Sequence, residues 1–210
     1  MLDNVEVLCH NSIRFSNKKI IYVDPFKIDT DYKDADIILI THSHYDHFSE
    51  EDILKVKKDN TKIVITDDLY NRTIELGFQK QDIIVNYQNE STNINDIFIE
   101  TIPAYNTNKK FHPKENNWVG YLIKINDITY YIAGDTDITE ENLKVKCDVA
   151  FIPIGGTYTM DYIEAARFVN EIKPKIVVPV HYGTIVGEKE YAQRFKNMIN
   201  SNIKCEILIK

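Results

Sequence analysis

Long apolar runs are missing from this 210-residue chain. No stretch approaches the roughly 18 consecutive apolar residues of a membrane-spanning helix, so a helical membrane protein is not expected. The opening residues Met1-Leu2-Asp3-Asn4-Val5-Glu6 lack a basic segment followed by an apolar one. No secretory leader is therefore visible, and a cytoplasmic protein is expected. Cysteine is scarce. Cys9, Cys147 and Cys205 are far apart, odd in number and form no CxxC pair. They read as buried thiols of a reducing compartment rather than as staples or metal knuckles. Positive charge is in deficit, with a formal net charge of −7. That balance argues against broad binding to nucleic acid or an anionic membrane. Low-complexity segments and linkers are also absent, so residues 1–210 read as one domain, long enough for a sizeable core.

What is present is a series of short β-branched runs, each ending in a polar loop. Val5 to Cys9, Ile13 to Ser16 and Lys19 to Val23 read as strands, with His10 at the first bend and Asp24-Pro25 closing the third. Ile37 to Ile40 reads as a buried strand. Ser49 is a candidate N-cap for a helix whose first turn is acidic and whose end carries Lys55, Lys57 and Lys58. A strand over 63–66, a helix over 67–76 stopped by Gly77, and strands over 83–87 and 97–102 follow. Residues 103–117 form a long polar loop. A hairpin over Asn126-Asp127 joins strands 118–125 and 128–133. The last third alternates: strand 148–152, helix 161–172 with an Asp161/Glu164 capping box, strand 175–180, helix 188–199 and strand 203–209. Both halves run strands first and strand–loop–helix afterwards, which suggests a weak internal duplication.

The chemistry is concentrated at strand ends. Thr41-His42-Ser43-His44-Tyr45-Asp46-His47 holds three of the six histidines of the chain, directly after the buried Ile37–Ile40 run. Imidazole and carboxylate donors suit zinc, manganese or iron. His42 and His44, two apart, can point one way, and Asp46 and His47 elsewhere, so one loop can feed two neighbouring ions. Asp135 in Gly134-Asp135-Thr136 and His181 in His181-Tyr182-Gly183-Thr184 also follow apolar strands, and His112 lies in the long loop. In α/β folds the loops at the carboxyl ends of strands build the site. Asp24 is a candidate acceptor that orients a metal-bound imidazole. Gly155, Gly156, Thr157 and Tyr158, just before a helix, offer backbone N–H groups and hydroxyls to an anion. Lys109, Lys110 and Lys114 offer it positive charge.

The HxHxDH spacing after a strand resembles the signature of the metallo-β-lactamase superfamily. His10 followed by Ser12, Asp24-Pro25, Gly134-Asp135-Thr136 and His181-Tyr182-Gly183-Thr184 extend the likeness from residue 5 onward. It points to the group of ascorbate-6-phosphate lactonase and the UPF0173 metal-dependent hydrolases. The resemblance implies an α/β fold, a four-layer αββα sandwich of two mixed sheets flanked by helices. It implies two divalent ions, zinc first, with manganese or iron as alternatives. His42 and His44 would ligate one ion with a third histidine; Asp46, His47 and His181 would ligate the other; Asp135 would bridge both. The third histidine falls to His112, with Asn106 as the alternative. Asp46 and His10 are the candidate catalytic residues, with Tyr182 added to the substrate contacts. The implied reaction is hydrolysis of a small, anionic ester or lactone, phosphorylated or not, by a hydroxide held between ions about 3.5–4 Å apart. A phosphodiesterase acting on nucleic acid or a phospholipid headgroup, and a non-catalytic metal-bound sensor, are the competing readings.

Overall fold

A computed structural model describes residues 1–209. The chain divides into two compact units, Met1–Tyr87 and Gln88 onward, each built on its own mixed sheet with helices.

The first unit contains β1 (Val5–Cys9), β2 (Ser12–Ser16), β3 (Ile20–Val23), β4 (Ala35–Leu39), α1 (Glu50–Val56), β5 (Lys57–Ile65), α2 (Tyr70–Glu75) and β6 (Ile83–Val85). Its six strands lie in chain order. The pairs β1–β2 and β2–β3 are antiparallel, whereas β3–β4, β4–β5 and β5–β6 are parallel. The carboxyl ends of β1, β3, β4 and β5 therefore emerge along one edge. Ile37, Ile38 and Leu39 are all fully buried, so neither face of β4 meets water. This is why the run does not alternate. Ile38, Ile40, Phe48, Ile53, Ile63 and Leu69 form the core that seats the helices. Ser49 caps α1, its hydroxyl accepting from Asp52 N–H. Asp52 in turn accepts from Lys27 N–H and Ile28 N–H, both at 2.9 Å, and so pins the segment after β3.

Two boundaries differ from expectation here. Lys57 and Lys58 belong to β5, not to the end of α1, because Ala35 pairs with Lys57 and the Thr61 hydroxyl donates to Ala35 O at 2.7 Å. The expected 67–76 helix begins as a 3-10 turn, Asp67–Leu69, and ends before Gly77, whose φ of 76° only glycine adopts readily.

The second unit contains β7 (Ser91–Ile94), β8 (Ile97–Pro103), β9 (Val119–Ile125), β10 (Ile128–Ile132), β11 (Val149–Pro153), α3 (Tyr162–Ile172), β12 (Ile176–Val180), α4 (Tyr191–Met198) and β13 (Lys204–Cys205). The sheet order is β13-β12-β11-β10-β9-β8-β7. Strands β7 to β10 pair antiparallel, and β10 to β13 pair parallel. Asn126 and Asp127 turn the β9–β10 hairpin with φ of 49° and 62°, the double left-handed turn that Asn and Asp tolerate. The Asp161/Glu164 capping box forms as expected. The last strand is shorter than expected, pairing only over Lys204–Cys205. β7, too polar to be read as a strand, was not anticipated. No described helix is long and apolar enough to cross a membrane.

Candidate metal centre

In the first unit, the loop after β4 curls back on itself, with His47 N–H and Phe48 N–H both donating to His44 O at 3.0 and 2.8 Å. Asp24 lies fully buried beneath it. Its carboxylate accepts from Asn11 Nδ2 at 2.7 Å, Thr41 N–H at 2.8 Å, Thr41 Oγ1 at 2.7 Å and His47 Nδ1 at 2.7 Å. A carboxylate so supplied is a satisfied buried charge. Its contact with His47 places the proton on Nδ1 and leaves Nε2 as the lone-pair nitrogen. Thr41 spends its one hydroxyl proton on Asp24, so it must accept from His42 Nδ1, 3.0 Å away. Nε2 of His42 is then also a lone-pair atom, and it faces His44 Nδ1 at 3.1 Å. Two imidazoles on one tetrahedral ion, with bonds of about 2.0–2.1 Å, would put their nitrogens about 3.3 Å apart. The donor pair therefore fits a cation. Asp46 Oδ2 stands 3.2 Å from His10 Nε2 and 3.7 Å from His47 Nε2, giving a second donor group in the same loop. His10 and Asp24 hold φ of 55° and 44°. Non-glycine residues pay about 1–2 kcal/mol for this region, and such outliers tend to sit at functional sites.

In the second unit, the donors come from three strand ends. Asp135 leaves β10 after Gly134, whose φ is 65°; His181 leaves β12 with φ of 57°. His112 sits in the loop after β8, with the Trp118 ring edgewise at 5.5 Å. All three donors are at least 96% buried. Asp135 Oδ2 lies 3.2 Å from His112 Nε2, and Oδ1 lies 3.1 Å from His181 Nε2. Each oxygen thus faces a different imidazole. Asn106 is drawn into supporting His112: its Oδ1 accepts from His112 N–H at 3.0 Å and faces Nδ1 at 3.1 Å, and its Nδ2 donates to Tyr158 O at 2.9 Å. Of the two candidates in this loop, His112 meets Asp135 and Asn106 orients it. Sequence reading did not mark Thr41 or Asn11, nor Asn106 as a support. Only the position of Thr41, one residue before the histidines, hinted at its part.

A family profile described as Beta-lactamase superfamily domain matches residues 4–181. A UPF0173 metal-dependent hydrolase of Pyrococcus horikoshii is 34% identical, over 98% of this chain and 95% of that protein. Among solved structures, a protein of Parabacteroides distasonis classed as a metal-dependent hydrolase is 32% identical, with a TM-score of 0.83 over 97% of this chain and 91% of that one. The chain belongs to the metallo-β-lactamase superfamily. It is a metal-dependent hydrolase of that superfamily, in the UPF0173 group. Igni18, a metallo hydrolase from Ignicoccus hospitalis, shares the fold at 23% identity, with a TM-score of 0.77 over 97% and 93% of the two chains.

Several expected substrate contacts of this hydrolase are placed differently. Part of the expected anion cradle at Gly155–Tyr158 is engaged within its own turn. Gly156 N–H donates to Met160 O, Thr159 N–H donates to Gly156 O, and Asp161 already caps the start of α3 through Ile163 N–H and Glu164 N–H. A carboxylate at that helix start repels an anion. Gly155 is glycine because a Cβ there would run into the His181 carbonyl. The Thr157 side chain is exposed and Tyr158 half-buried. Tyr182 is core rather than contact: it is 2% exposed within the apolar cluster of α3 and α4, and burial pushes its phenol up to about 12. Lys109 binds Asp137 Oδ1 at 2.6 Å and Lys114 binds Glu141 Oε1 at 2.9 Å, so neither is an uncommitted cation. Lys110 lies exposed on the same loop.

Proposed function

We propose that this protein hydrolyses a small ester or lactone with two divalent ions, zinc first, held by His42, His44 and His112 on one side and Asp46, His47 and His181 on the other, with Asp135 shared. The observation that carries the reading is Asp135, whose two oxygens face two different imidazole Nε2 atoms. That arrangement suits a carboxylate serving two cations. The loop after β4 supports it with two donor groups in one stretch, His42/His44 and Asp46/His47. The family match runs unbroken through both units, which supports assigning the two donor sets to one centre and residues 1–210 to one functional domain.

Bound divalent ions supply Lewis acidity, bringing the pKa of a coordinated water to about 7 and polarising the substrate carbonyl. The residues supply the rest. Asp24 and Thr41 hold His47 and His42 in the tautomers that present Nε2, and Asn106 does this for His112. Asp46 Oδ2 and His10 Nε2, 3.2 Å apart, form a place where the proton released during ester cleavage is held and returned to the leaving oxygen. The partner is a small molecule, not nucleic acid or membrane, in keeping with the net charge of −7. Three free cysteines suit a cytoplasmic setting.

The test is elemental analysis of purified protein with turnover over panels of esters, lactones and phosphodiesters. Near two ions per chain with ester or lactone turnover is expected. One ion per chain, or turnover confined to phosphodiesters, sinks the proposal. Full metal content with no turnover on any panel leaves a sensor.

A further inference from the structure

Exposed aromatic rings stand beside the metal donors in both units. In the second, Phe111 immediately precedes His112 and remains 37% exposed. Its ring meets that of Tyr158 edge to face, with centroids 4.7 Å apart and an interplanar angle of 87°. Neither ring belongs to the apolar cluster of this unit. Asn106 fixes the pair to the donor, because one amide binds His112 through Oδ1 and the Tyr158 carbonyl through Nδ2. In the first unit, Tyr45 stands between His44 and Asp46, 66% exposed, with its ring edgewise to Phe26 at 6.1 Å. A single exposed ring on a surface is ordinary. A ring one residue from a donor, in each of two separate loops, is a pattern.

Three of the charged features near these rings are already committed. Lys109 is neutralised by Asp137, Lys114 by Glu141, and the start of α3 by Asp161. Lys110, directly before Phe111, is the exposed cation of this loop, so the ring pair beside His112, and not a lack of charge, is what points to a ligand group. We infer that Phe111 and Tyr158 hold an apolar acyl or aryl group of the substrate, with Tyr45 in the same role beside its own donors. The natural substrate is then an ester or lactone with an apolar substituent. The inference rests on the ester or lactone reading above.

Three hydroxamates test it on the metal-loaded protein by calorimetry: acetohydroxamate, benzohydroxamate and phosphonoacetohydroxamate. They share one chelating group and differ in the substituent. Wild type should bind benzohydroxamate about tenfold more tightly than acetohydroxamate. Phe111→Ala and Tyr158→Ala should each reduce that preference about threefold to tenfold, with the acetohydroxamate Kd unchanged. Phe111→Tyr, which keeps a ring, should retain it, and metal content should match wild type in all variants. Equal preferences in wild type and the alanine variants, or tightest binding of the phosphonate, overturn the inference. Absence of ester and lactone turnover would sink the catalytic reading alone, because the hydroxamate preferences are read without turnover.

Discussion

Asp24 and Asp135 occupy matching places in the two units and face opposite nitrogens of their histidines. Each sheet is an antiparallel meander that turns into a parallel ladder, at β3 in the first unit and β10 in the second. Asp24 leaves β3 and Asp135 follows β10, each beside a left-handed backbone step. Asp24 meets the Nδ1 of His47 and also takes Thr41 and Asn11. Asp135 meets the Nε2 of His112 and of His181. On the function proposed above, the ring nitrogen that each buried carboxylate faces makes Asp24 an orienter and Asp135 a metal donor, although the two residues are alike in type, burial and place on the sheet. The units also differ in how donors are gathered. The first packs them into one loop, and the second collects them from the ends of β8, β10 and β12.

The largest effect should come from Asp135→Ala. Metal content by elemental analysis should fall and turnover should be lost, by more than the roughly 10–100-fold that loss of an outer partner costs. If Asp24→Asn proves the more damaging of the two, the division into donor and orienter is reversed. Asp24→Asn itself should weaken metal affinity about 10–100-fold in a competition titration with a chelating dye. Asn106→Ala leaves the buried His112 N–H groups short of an acceptor, a loss of about 1–3 kcal/mol. Asn106→Asp should recover most of the metal affinity, whereas equal loss in both variants would make Asn106 merely structural. Smaller still are the helix caps. Asp161→Ala should lower stability by about 1 kcal/mol in thermal denaturation, and Ser49→Ala by less, since its bond to Asp52 N–H is long at 3.4 Å. The smallest effect is in acid. Burial raises the Glu141 carboxyl, but Lys114 and the Tyr105 hydroxyl outweigh it and hold the group down at about 2. The unfolded chain then binds the extra proton, so this contribution is present above the ordinary 4.5 and fades as pH falls toward 2. Glu141→Gln should flatten that small slope in acid-denaturation curves.

Much of the fold was legible because its signals are local. The unbroken Ile37–Ile40 run, the Asn126-Asp127 turn and the Asp161/Glu164 box each act within a few residues. The first half of β5 and all of β7 were not legible. Lys57-Lys58-Asp59-Asn60 and Ser91-Thr92-Asn93 carry no apolar alternation; Lys57 joins the sheet by pairing with Ala35, and Ser91 to Asn93 by pairing with β8. The expected 203–209 strand failed in the opposite sense: it ends in the apolar Ile207-Leu208-Ile209, yet the strand covers only Lys204–Cys205. Glycine and hydroxyl content at Gly155–Tyr158 does not reveal where the N–H groups point. In the structure the Gly156 N–H bonds within its own turn, to Met160 O.

By itself the sequence determined which imidazoles and carboxylates stand at strand ends and their order along the chain: three imidazoles and a carboxylate after one buried strand, with Asp135 and His181 after two others. Such features depend on residue type and on spacing of a few positions. Tertiary structure alone decided which ring nitrogen each histidine presents, that Asn106 serves His112, and that Tyr182 is core. The reason is that these outcomes depend on hydrogen bonds and packing between residues far apart in the chain, as with His47 and Asp24 across 23 positions. Chain folding, not local propensity, brings such pairs within reach.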